Sequence, residues 1–149
     1  MQSLFSTETL SEIEKRIESI SNETERKWGS MTPSQMLWHC KAPLILALKD
    51  DNEIKVNPLK KLVYGFFKES LYNDKPWKPN IPAPKTFIAA KEYDLEEEKK
   101  KLLELVRQFH SRKDQEVWKP HPYFGKFTKE QWGKMQFKHL DHHLRQFNS

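Results

Sequence analysis

The stretch KHLDHHLRQF, residues 138 to 147, holds three of the six histidines of a 149-residue chain. On an α-helix each residue turns about 100°, so His139 and His143 fall within about 40° of each other, one turn apart. Trp132 and Met135 share their sector, which marks it as the inward one, and Asp141 falls on the opposite surface. His142 lies about 60° to the other side of His139, at the edge of the apolar face, a position read as facing solvent. Two inward imidazoles need hydrogen-bond partners or a shared cation. Their nitrogens can meet at a point about 2.1 Å from each, a geometry that Zn, Ni or Fe accepts. Two histidines at this spacing also occur as ordinary core or surface residues, so a third ligand decides between the readings.

The segment MLWHC supplies one, placing His39 in the most apolar helix of the chain, where an unpartnered imidazole is unexpected. Three neutral nitrogens leave a tetrahedral ion one open position, as in catalytic rather than closed structural sites. Pro43 cannot donate the backbone bond that the His39 carbonyl would receive, so the helix is expected to bend or loosen there. Cys40 is rotated about 100° from His39 and reads as a small buried core residue, not as a ligand. His110 and His121 fall near a helix end and in a loop and receive no ligand role. His142 is the candidate for orienting a ligand from behind or relaying a proton, and Tyr123 for reaching the pocket as a hydrogen-bond donor, with solvent exposure and packing as their respective plainer readings.

These side chains need helices to hold them. Leu10, Ile13, Ile17 and Ile20 form an amphipathic stripe with Ser6 or Thr7 as its cap. Thr32, Pro33 and Gln35 make a capping box for a helix from Pro33 to about Lys49. Leu95, Leu102, Val106 and Phe109 mark a helix capped by Asp94 and fading by Lys113. Thr128 and Gln131 form a second capping box that opens the helix of His139 and His143. Between residues 50 and 93, Pro58, Pro76, Pro79, Pro82 and Pro84 exclude long regular structure, although a short helix fits from Leu59 to Leu71. The remainder, KPWKPNIPAPKTF, is expected to be an extended crossover on the surface. The short helix, through Leu62, Val63, Phe66 and Phe67, is expected to wall or cover the pocket, with Lys60, Lys61 and Lys68 attracting an anionic substrate. The predicted fold is all-α: a four-helix bundle, residues 1 to 149 as one domain, with a long proline-rich crossover containing a short extra helix.

A net charge of +5 invites a nucleic-acid reading, but lysines and acids alternate, as in LEEEKKKLLEL, and no basic track forms. The longest apolar run, APLILAL, is far shorter than the ~20 residues of a membrane span. Neither nucleic acid nor membrane is therefore expected as a partner. No basic segment precedes an apolar stretch at the N-terminus, and one cysteine cannot pair within the chain, so a cytoplasmic location is expected.

The segments MTPSQMLWHC, HPYFGKFTKEQW and KHLDHHLRQF, in that order and spacing, resemble the DinB/YfiT superfamily of metalloenzymes, and within it an uncharacterised subfamily. The resemblance covers about residue 30 to the end. It implies a four-helix bundle with a divalent metal held by His39, His139 and His143. It also implies a small-molecule substrate and a low-molecular-weight thiol such as bacillithiol, mycothiol or glutathione, used in transferase or isomerase chemistry; it is compatible with a homodimer. The leading expectation is a metal-dependent thiol transferase acting on small electrophiles. The alternatives are a metal-dependent hydrolase and a non-catalytic metal-binding or interaction bundle.

Overall fold

The computed structural model describes residues 2–49, 57–81 and 87–149. Within them lie five α-helices: α1 Thr7–Glu18, α2 Pro33–Leu48, α3 Pro58–Phe67, α4 Leu95–Ser111 and α5 Lys129–Gln146. A 3-10 turn, Lys68–Leu71, continues α3. No strand is present among the described residues, where the β pairing is an isolated antiparallel bridge between His121 and Gly125.

Local chemistry sets the helix starts. Ser6, Thr32, Asp94 and Thr128 each accept a backbone N–H of the first turn. Thr32 with Gln35, and Thr128 with Gln131, close reciprocal capping boxes. Glu92 accepts from Thr32 Oγ1 at 2.8 Å and Ser34 Oγ at 3.2 Å, placing a carboxylate at the positive end of α2. As expected, α2 runs through Pro43.

The bundle pairs α1 and α2 each with α4 and α5. Ile13 and Ile17 of α1, Met36, Leu37 and Leu44 of α2, Leu102, Val106 and Phe109 of α4, and Trp132, Leu140 and Leu144 of α5 are all but fully buried. Each such aliphatic side chain contributes roughly 1.5–3 kcal/mol of transfer free energy. Cys40 is buried in this core, where burial raises its thiol pKa well above the usual range. Among the described residues no helix is long and apolar enough to cross a membrane.

Two sequence expectations need correction. The crossover does not lie wholly on the surface: Trp77 and Phe87 are half-buried and line a cavity at the histidine end of the bundle. The ammonium of Lys138 draws the chain in by donating to Ser70 O, Asn73 O and Asn73 Oδ1 at 2.7, 2.9 and 2.7 Å. Helix α3 does wall the cavity, but through Tyr64 and Phe67; Leu62, Val63 and Phe66 are 63, 51 and 82 % exposed. Periodicity reveals that a short helix has an apolar face, not what that face meets. Pro82 and Pro84 fall outside the described residues, as do the side chains of Lys60 and Lys61. Lys68 is occupied, since its ammonium donates to Lys126 O and sits 4.8 Å over the Phe127 ring.

Candidate metal centre

Helices α2 and α5 bring His39, His139 and His143 together, with one ring nitrogen of each within 4.8 Å of the others. The ring centroids are 5.1 Å apart for His39 and His139, 4.6 Å for His39 and His143, and 4.7 Å for His139 and His143. His39 Nε2 and His139 Nε2 are separated by 3.2 Å. Nitrogens about 2.0–2.1 Å from a tetrahedral ion would stand roughly 3.3–3.4 Å from one another, so this pair is already close to the spacing a cation needs.

The outward hydrogen bonds assign the tautomers. His39 Nδ1 lies 2.7 Å from Phe87 O, which can only accept, so Nδ1 carries the proton and Nε2 is a bare lone pair. Gln146 Nε2 donates to Trp28 O at 2.7 Å, which turns Gln146 Oε1 toward His143 Nδ1 at 3.0 Å. His143 Nδ1 must therefore be the donor, and its Nε2 is bare as well. Ligand histidines generally donate their second N–H to a carbonyl or carboxylate in this way. His139 Nδ1 is buried with no partner.

Burial keeps these rings neutral. It lowers the His39 pKa, with the Phe87 carbonyl opposing, and lowers His139 well below the usual histidine value, with the neighbouring imidazoles adding to the effect. His143 is brought down to about 3, chiefly by burial and then by His39. The neutral imidazole is the form that binds a metal.

The three histidines line a cavity of about 820 Å³. Tyr123 lines it too, its ring 5.7 Å from that of Tyr64. His142 corrects the sequence reading: it is 6 % exposed, with its ring 5.7 Å from Trp28 and 5.6 Å from Trp77. The edge of the α5 stripe faces solvent only if nothing folds over it, and the crossover does. Asp141 points away, bonded to Arg16 at 2.9 Å and Arg145 at 2.8 Å. His110 bonds Leu4 O at 2.9 Å, away from the trio.

Sequence reasoning missed four contributors. His121, read as a loop residue without a role, lines the cavity, and its Nδ1 accepts from the backbone of Tyr123 and Phe124 at 3.2 and 3.3 Å. Trp28, Trp77 and Phe87 were also overlooked, because their approach depends on contacts distant in sequence. The one local hint was an aromatic residue among prolines at Trp77.

Searches of curated proteins and of solved structures each returned no match. The family model described as a protein of unknown function (DUF1569) matches residues 3–149, and the chain belongs to that family.

Proposed function

We propose that His39, His139 and His143 hold a divalent metal of the DinB/YfiT-like kind, and that the protein is a thiol-dependent transferase acting on small electrophiles. The observation that carries this reading is the tautomer pattern. Phe87 O and Gln146 Oε1 take the outward protons of His39 and His143, leaving bare Nε2 lone pairs on two separate helices beside His139. Histidines kept only for packing have no need of such convergence. A bound divalent ion would supply a Lewis acid with an open position, lowering the pKa of a thiol or water there.

The chain's own residues do the remainder. Trp28 and Trp77 cover His142 and narrow the approach to the trio. Tyr64 and Phe124 wall the side nearer His121 and exclude water around an organic substrate. The size and apolar lining of the cavity favour a thiol and an organic electrophile over simple hydrolysis.

Metal analysis of tag-free protein tests the reading, together with Co(II) titration of the metal-free form and of His39→Ala, His139→Ala and His143→Ala. One equivalent in the parent, with affinity reduced at least a hundredfold in each variant, is expected. Equal binding by parent and variants would overturn it. A screen of low-molecular-weight thiols against generic electrophiles then separates transferase from hydrolase.

A further inference from the structure

The charge of the cavity wall is one-sided. Among its described lining residues the charged ones are Lys75 and Lys78, and no Asp or Glu is present. Both lysines are exposed and flank Pro76 and Trp77, which puts them at the mouth. Asp74, next to Lys75 in sequence, is not part of the lining. The lining is mostly apolar and includes Trp28, Trp77 and Phe87.

We propose that the cavity binds an apolar organic acid, its ring or alkyl body against Trp28, Trp77 and Phe87 and its anionic head held by Lys75 and Lys78 at the mouth.

Three considerations support this. Apolar walls of low dielectric focus the field of the two ammonium groups into the opening, where no described lining carboxylate offsets it. A cation held by three neutral imidazoles keeps its full charge and adds to the same potential. A small hydrophilic anion would lose hydration against the aromatic wall without replacement, and a neutral hydrocarbon would forgo the lysines; a molecule with one pole of each kind satisfies both. An ammonium-bearing compound meets no acceptor carboxylate among the described lining residues.

This inference names the substrate class of the proposed function, but the lysine contact does not require the metal, so its test uses metal-free protein. 8-Anilinonaphthalene-1-sulfonate and its uncharged analogue N-phenyl-1-naphthylamine are titrated by fluorescence at low salt. The sulfonate is expected to bind about tenfold more tightly, and the gap to shrink as salt rises. Lys75→Gln combined with Lys78→Gln should remove most of the gap and leave the uncharged dye unchanged. Phe66→Ser, on the exposed face of α3, should alter neither dye. Equal affinities in the parent, a preference that survives the double substitution, or loss of dye binding in Phe66→Ser would each overturn the inference. Metal stoichiometry plays no part in these readouts, so a failure here leaves the metal reading intact, and the reverse also holds.

Discussion

His39 Nε2 and His139 Nε2 face each other at 3.2 Å from helices a hundred residues apart in sequence. Close by, the Gln136 side-chain amide donates to Pro43 O at 2.8 Å and ties the same two helices together. Because the His39 proton is directed to Phe87 O, a single proton fits between the facing nitrogens, and His139 carries it. A cation in that space requires the His139 proton to move from Nε2 to Nδ1, which is buried and unpartnered. The site thus has two histidines held by outward bonds and one held by packing.

Gly29 is expected to govern metal affinity without touching a metal. Its φ is +80°, and a Cβ there would collide with Gln146 Nε2, the atom that donates to Trp28 O. Displacing that amide removes the acceptor that orients His143. Gly29→Ala should weaken Co(II) binding about 10- to 100-fold. Gly125→Ala, with φ +74° and open space around the new methyl, should show backbone strain in its stability and parent-like affinity. Isothermal titration of both variants checks this, and equal affinities would refute it.

His121 should contribute to acid sensitivity. Burial brings its pKa to about 4 in the folded protein, against about 6.5 when unfolded. Above 6.5 both states are neutral and the full stability is present. As the pH falls from 6.5 toward 4, the unfolded chain takes up the proton first and stability is lost. His121→Asn retains an acceptor for the Tyr123 and Phe124 amides but does not titrate in this range. Urea denaturation of metal-free protein at pH 7.5 and 5 should show the parent losing about 2 kcal/mol more than the variant.

Features governed by neighbours in sequence were legible in it. Thr32 with Gln35 and Thr128 with Gln131 announced the starts of α2 and α5, because a capping box closes within one turn. The helical period then placed His139 beside His143, and the apolar setting of His39 singled it out. What the sequence did not disclose lies across long separations. Phe87 O reaches back 48 residues to His39, and Lys138 reaches 65 and 68 residues to Asn73 and Ser70. Neither contact has a local signature, so Trp77 and the burial of His142 went unforeseen. The same limit hid which part of the apolar stripe of α3 meets the cavity: Phe67 lines it, while Leu62, Val63 and Phe66 are exposed.

Two helical glycines should respond in opposite directions to alanine. At Gly133 a Cβ would strike Ser3 Oγ and come 2.6 Å from Phe5 Cδ2. The Phe5 ring has little room to retreat, being stacked on Phe109 at 4.7 Å and close to Trp118 at 5.7 Å. Gly133→Ala should therefore cost about 1–3 kcal/mol despite the better helix propensity of alanine. At Gly65 nothing lies within 4 Å, and Gly65→Ala should stabilise α3 by up to about 1 kcal/mol. Denaturation midpoints that move in the same direction would contradict this.

Lys138 is expected to be the fastening of the cavity wall. It is 4 % exposed, its three bonds go to the turn after α3, and its ammonium sits 5.6 Å over the Trp77 ring. Trp77 Nε1 shares the same acceptor, donating to Ser70 O at 2.7 Å. Lys138→Met keeps most of the stem's packing but leaves these oxygens to find water or remain unpaired, which should cost roughly 2–4 kcal/mol. Freed from its anchor, Trp77 should become more accessible to acrylamide quenching. Lys134, one turn earlier on α5, pairs with Glu130 at 2.5 Å near the surface, so Lys134→Met should change stability by less than about 1 kcal/mol. Similar small losses in both variants, with unchanged quenching, would show that the crossover is held in place by contacts other than this ammonium.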